Sequence, residues 1–190
     1  MNDLEFEVDR VDLRLHQGIY QWSARQFDPG WVLDVGTELG VGMGLMQDED
    51  PHLKVLGCDV KIAPLKASRT LIGEFGQRMA QADAAMLPIA SRSMTGVCLI
   101  NILHLVDRPQ MILDESRRVL KRRGRVVVYI DLSKLPLWHE AERLEMDLDD
   151  LLGNHFRLMT PHESLTSLFN RLRIENTSVP KLYLRLGEKN

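Results

Sequence analysis

From Trp31 onward the chain repeats one pattern: a short apolar run, a turn, then a helical stretch. WVLDV leads through a glycine-rich turn into LGVGMGLMQ, and KVLGCDV leads into a helical stretch from about Pro64 to Gln77. RMAQAD, TGVCLIN and RVVVYID continue the series, with the amphipathic PQMILDESRRVLK between the last two. Such alternation implies a parallel sheet with helical crossovers. RVVVYID is apolar almost throughout, as a strand covered on both faces must be. Beyond it come a helical, acidic excursion (residues 137–152), the helix-like PHESLTSLFNRLR with Pro161 in its first turn, and two closing strands, IENTSV and KLYLRLG. Ahead of Trp31, residues 1–15 show no strong period and residues 16–28 read as a short helix before Pro29 and Gly30. The expected architecture is α/β: a doubly wound, mostly parallel seven-stranded sheet in three α/β/α layers. Residues 1–190 form one domain, with a lead-in over 1–28 and a capping excursion over 132–160.

Size and charge narrow the function. A chain of 190 residues closes a core without disulfide or metal staples. Its net charge of −3 supplies no general positive field for a polyphosphate, so nucleic acid is a disfavoured partner. MNDLEFEVDR is acidic where a secretory leader is basic, and no apolar run approaches membrane-spanning length, so a soluble cytoplasmic protein without membrane contact is expected. Cys58 and Cys98 lie inside apolar strands, which suits reduced core thiols. His16, His52, His155 and His162 make no ligand set, and no metal is expected.

In an open parallel sheet, ligands sit beyond the carboxyl ends of the strands. The turn after the first strand, Asp34-Val35-Gly36-Thr37-Glu38-Leu39-Gly40, puts a carboxylate at the strand end, then glycines that let backbone approach a ligand, then a helix start. Asp34 and Glu38 crowd this turn with negative charge, which opposes a pyrophosphate and favours an ammonium or sulfonium. Asp59 closes the second strand 23 positions after Gly36, near the ~20-residue offset at which an acid reaches a ribose diol. The plainer readings stay open: Glu38 complementing a helix dipole, and Asp59 capping the next helix.

Residues 82–126 carry an acidic residue, Leu87-Pro88, a fourth strand, Leu103-His104, Asp107 and Pro109, then Glu115, Arg118, Val119, Leu120 and Lys121 before a glycine turn at Gly124. With the Asp34 turn and Asp59, this run resembles the class I S-adenosylmethionine-dependent methyltransferases, particularly their small-molecule group, over residues 31–131. The resemblance implies a Rossmann-like methyltransferase fold and S-adenosylmethionine as cofactor. Asp34, Gly36, Thr37, Glu38 and Gly40 would then surround the methionine part, with Asp34 near its amino group. Asp59 would accept from the ribose hydroxyls, with Val60 against the adenine. Asp83 would meet the adenine amino group, the Ala84 amide would face a ring nitrogen, and Asn101 and Ile102 would line the pocket beside the sulfonium. The sequence departs from the family pattern in three places: Glu38 stands where many members have glycine, Gly96 replaces an acidic residue, and Arg122-Arg123-Gly124 replaces Pro-Gly-Gly.

Methyl transfer from a sulfonium is an in-line displacement that needs chiefly positioning, with a base only when the acceptor must lose a proton. His104, Asp131 and His139 are the candidates for that base. The acidic residues of 140–150 read as a solvated helix face, and the cluster Arg117, Arg118, Lys121, Arg122, Arg123 and Arg125 falls near the amino-terminal edge of the sheet, away from the pocket. The expected function is methyl transfer to a small-molecule acceptor. The alternative is a degenerate, non-catalytic binding or scaffold protein on the same fold.

Overall fold

The apolar residues of the central strands alternate between two cores, and this alternation builds the layers. In the computed structural model, Val32, Cys98, Ile100, Val127 and Tyr129 face one core, while Leu33, Val35, Val97, Leu99, Val126, Val128 and Ile130 face the other. The structure describes residues 3–61, 78–132, 138–161, 167, 168, 170 and 182–190, with side chains from Arg14 onward and, in the fourth helix below, from Asp147.

Seven strands form one sheet: β1 (Gly30–Val35), β2 (Leu53–Asp59), β3 (Met79–Gln81), β4 (Met94–Ile100), β5 (Leu120–Asp131), β6 (Arg157–Met159) and β7 (Leu182–Glu188), in the order β3-β2-β1-β4-β5-β7-β6. The pairings through β5 are parallel, and β7 runs antiparallel to both β5 and β6. The order reverses between β1 and β4, so the crevice for a ligand lies beyond the carboxyl ends of these two strands. Helices α1 (Asp3–Ala24) and α2 (Val41–Glu49) pack on one face. On the other lie α3 (Pro109–Val119) and α4 (Trp138–His155), with Leu113, Leu148, Leu152 and Phe156 in its core.

The doubly wound, mostly parallel architecture agrees with the sequence reading; the ends of the chain refine it. The first helix begins at Asp3 rather than near His16 and stops at Ala24. Leu15, Ile19 and Trp22 recur at helical spacing and are fully buried, which ties its second half to the core. The outermost strand beside β7 is Arg157–Met159, inside the stretch expected to be a capping excursion. The other anticipated closing strand, IENTSV, lies outside the described residues, as do the stretch from Pro64 to Gln77 and most of PHESLTSLFNRLR. The described half of α4 is a buttress rather than a cap. Asp149 accepts hydrogen bonds from Tyr183 (2.8 Å) and from Arg185 Nε and Nη2 (2.8 and 2.9 Å), and His155 meets Asp114.

Two glycines explain how the lead-in seats itself. A Cβ on Gly42 of α2 would stand 2.2 Å from the Tyr20 ring, and one on Gly96 of β4 would stand 2.4 Å from Phe27. An aromatic side chain of the lead-in thus occupies the volume that any side chain at position 96 would need.

Candidate active site

The turn after β1 is held by backbone hydrogen bonds and by the Asp59 carboxylate. The Gly36 and Thr37 N–H groups both donate to the Cys58 carbonyl (2.8 and 3.1 Å), and Gly40 N–H donates to Thr37 O (2.7 Å). Gly36 (φ 75°), Glu38 (φ 46°) and Gly40 (φ 78°) all take left-handed conformations. Glu38 thus keeps the backbone shape of the glycine it replaces, at a cost of about 1–2 kcal/mol for a residue with a Cβ. Its side chain is exposed.

Asp34 leaves the last turn of β1 on the α1 and α2 face and is completely buried. Neither carboxylate oxygen has a hydrogen-bond partner among the described residues, and the buried Thr37 hydroxyl also lacks one. Burial raises the Asp34 pKa to about 7; the nearby Thr37 and Tyr20 hydroxyls favour the ionised form without completing a well-aligned hydrogen bond, and Asp59 opposes it. Tyr20 is held protonated by burial first and then by Asp34, so it remains a donor. Three unpaired oxygens beneath a glycine turn suit the ammonium of an amino-acid ligand, reached directly or through water.

Asp59 and Asp83 differ. Asp59 accepts the Glu38 N–H on one oxygen (3.0 Å) and the Lys61 N–H on the other (2.8 Å), joining the turns after β1 and β2. Each oxygen retains a lone pair for a ribose hydroxyl. Asp83 is exposed and caps the Ala85 N–H (2.8 Å), shaping the loop after β3. Ala84 is half-buried, and Val60 stands 63% exposed beside Asp59.

Beyond β4, Asn101 adopts φ 54°; its N–H donates to Tyr129 O (2.7 Å), and its side-chain oxygen accepts the Asp131 N–H (2.9 Å). Asn101 therefore clasps the ends of β4 and β5, while Ile102 closes on the first turn: its Cδ1 lies 3.0 Å from where a Gly36 Cβ would be. His104 follows on a short 3-10 turn, Leu103–Leu105, with a buried Nδ1 that has no partner among the described residues. Burial lowers its pKa against an opposing pull from Asp131, so at neutral pH the imidazole is uncharged. His139 falls within α4, but its side chain lies outside the described residues.

A model of the methyltransferase domain matches residues 33–128. The chain belongs to the class I S-adenosylmethionine-dependent methyltransferases. It is 34% identical over 106 residues to a demethylmenaquinone methyltransferase of Thermotoga maritima, covering 54% of this chain and 44% of that one. Similarity to a malonyl-[acyl-carrier protein] O-methyltransferase of Laribacter hongkongensis is 32% over 105 residues, covering 50% and 35%. This methyltransferase chain thus spans less than half the length of either relative. A solved S-adenosylmethionine-dependent methyltransferase from Aquifex aeolicus shares the fold, with a TM-score of 0.65 at 15% identity over 87% of each chain. S-adenosylmethionine is accordingly the cofactor of this methyltransferase domain.

Tyr20, beside Asp34, is one residue of the candidate site that the sequence did not single out. Tyr20 lies 14 residues before Asp34 in a different element, and only Gly42, a small residue inside α2, hints at the aromatic ring packed over it. The basic residues Lys121, Arg122 and Arg123 line a shallow cleft with Asp28 and Thr95, at the edge of the sheet opposite this site. Among the described residues, no helix is long and apolar enough to cross a membrane, and no group of three or more His, Cys, Asp or Glu gathers as a metal site.

Proposed function

We propose that this chain, taken as one domain over residues 1–190, transfers the methyl group of S-adenosylmethionine to a small-molecule acceptor in the crevice between the β1 and β4 loops. The carrying observation is the buried, unpartnered carboxylate of Asp34 beneath the glycine turn, which needs a cationic donor. The bound cofactor supplies an activated methyl on a sulfonium. Asp34 and Thr37 hold the methionine end, Asp59 the ribose, and Val60, Asp83 and Ala84 the adenine, while Gly36, Gly40, Asn101 and Ile102 shape the wall beside the reacting centre. The Glu38 side chain is exposed at the rim of this turn, with its charge felt at the buried Tyr20.

Five of the eight exposed large apolar side chains among the described residues, Leu39, Val41, Val60, Met86 and Leu105, follow β1 to β4 on their loops or, for Val41, at the start of α2, as a rim around a partly apolar ligand would. The two curated relatives are named for methylating demethylmenaquinone and a malonyl-acyl carrier protein, which favours a metabolic acceptor over nucleic acid. His104, neutral and beside Asp131, serves as general base where the acceptor must lose a proton; His139 is the second candidate for that role.

Calorimetric titration with S-adenosylmethionine, S-adenosylhomocysteine and NAD tests the reading. Binding of the first two and not the third is the expected result. Binding of none makes the chain a scaffold on the same fold, and binding of NAD alone overturns the cofactor.

A further inference from the structure

We propose that Glu115 and Arg118 of α3 are positioning residues for base recognition: together they fix the loop between β3 and β4 so that its first residues, Asp83 and Ala84, meet the adenine in register. This rests on the cofactor reading above.

The two side chains lie one helical turn apart and pair in two places, Arg118 Nε to Glu115 Oε1 (2.7 Å) and Nη2 to Oε2 (2.8 Å). The paired groups then grip the loop backbone. Glu115 Oε2 accepts the Leu87 N–H (2.8 Å), Arg118 Nη2 donates to Leu87 O (3.0 Å), and Nη1 donates to Ile89 O (2.8 Å) and Ser91 Oγ (3.1 Å). Leu87 is thus held at both its amide and its carbonyl, and its side chain is buried in the core shared with α3. Three residues upstream of Leu87 is Ala84, and the intervening chain is a tight turn closed by Met86 N–H to Asp83 O (2.9 Å) and by Asp83 Oδ1 from Ala85 N–H (2.8 Å). A rigid turn hung from a fixed point transmits that point's position to its far end.

Arginine is required for this because its planar fork reaches two carbonyls and a carboxylate at once, which a lysine ammonium cannot do in one geometry. Arg118 keeps 35% of its side chain exposed, and an ion pair so open to water contributes little to global stability. Its larger effect is therefore on where the loop stands. The adenine 6-amino group is a donor suited to the Asp83 carboxylate, whereas hypoxanthine offers a carbonyl oxygen there and is repelled. Misplacing the loop erodes that distinction while leaving the methionine contacts at Asp34 intact.

The test is calorimetric titration of S-adenosylhomocysteine and its hypoxanthine counterpart, S-inosylhomocysteine, into the wild-type chain and the variants Arg118→Gln, Arg118→Lys, Glu115→Gln and, as a neighbouring control, Arg117→Ala. Wild type prefers the adenine ligand. Arg118→Gln and Glu115→Gln lose roughly tenfold of that preference, the equivalent of one well-placed hydrogen bond. Arg118→Lys falls between, and Arg117→Ala keeps the full ratio. Should Arg118→Gln fail to fold, Arg118→Lys and Glu115→Gln still report the ratio. A lowered melting temperature with the ratio intact would make the pair merely structural and overturn the proposal, as would a wild type that binds both ligands equally. A wild type that binds neither overturns the cofactor reading itself.

Discussion

Asp34 and Asp59 end adjacent parallel strands, yet the protein treats them in opposite ways. Asp59 accepts one backbone N–H on each oxygen, from Glu38 and Lys61. Asp34, less exposed still, has no hydrogen-bond partner among the described residues. The first carboxylate organises two turns and meets a ligand with its remaining lone pairs. The second bears a desolvation cost that the nearby Thr37 and Tyr20 hydroxyls offset only in part, and that protonation or an incoming donor removes. On the proposed reading, the nucleoside half of the site is therefore preformed, while the amino-acid half is electrostatically incomplete.

Asp34→Asn tests that contrast most severely. It removes the charge that answers the ammonium, and cofactor affinity should fall by about 2–3 kcal/mol, the range for a hydrogen bond between charged groups. At pH 8, where the wild-type carboxylate is ionised, the melting temperature should rise, because a buried charge is gone. Titration with S-adenosylhomocysteine and a thermal melt read both, and a fall in both would break the distinction. Asp59→Ala should cost about 1–3 kcal/mol of affinity, but with a lower melting temperature, since two amides lose their acceptor. Opposite signs in the melts would sharpen the contrast.

The pH dependence follows from the Asp34 pKa of about 7. The folded state holds this proton more tightly than the unfolded chain, where a carboxyl titrates near its model value of 3.8. The unliganded protein should therefore lose stability from this group as pH rises from about 4 to about 7, and no further above that. A cationic ligand needs the ionised form, so its affinity should climb by up to about tenfold per pH unit below 7 and level off above it. Affinity measured at intervals from pH 5.5 to 8.5 tests this; a flat profile would mean the ligand does not engage Asp34.

The smallest effects concern backbone strain. Glu38 (φ 46°) and Arg123 (φ 62°) stand where the family pattern has glycine, and both keep the left-handed conformation glycine would supply. Glu38→Gly and Arg123→Gly should each stabilise the fold by about 1 kcal/mol in denaturant titrations. Because the Glu38 side chain is exposed, its removal should leave cofactor affinity within a factor of about two; a large gain would mean that the side chain obstructs the site.

The backbone frame of the candidate site was largely legible in the sequence because strand periodicity and turn chemistry are local. Asp34, Gly36 and Gly40 announced a tight turn at a strand end, and Asp59 closed the second strand 23 positions after Gly36. The length of α1 was not legible, since its first half has no strong period. The role of the excursion was not either: Asp149 reads as one more acidic residue until Tyr183 and Arg185, 34 and 36 residues away, converge on it.

The amino-acid order by itself determined which strands run parallel and which carboxylates reach their ends, because the repeating strand, turn and helix leave few ways to bury the apolar runs. Only tertiary structure decided what each carboxylate is worth. How Tyr20 bears on Asp34, whether the Glu38 amide reaches Asp59, and whether Glu115 and Arg118 grip Leu87 all depend on groups 14 to 31 residues away in the chain. Hydrogen-bond partnership and dielectric are properties of the assembled neighbourhood, not of the segment that contributes the side chain.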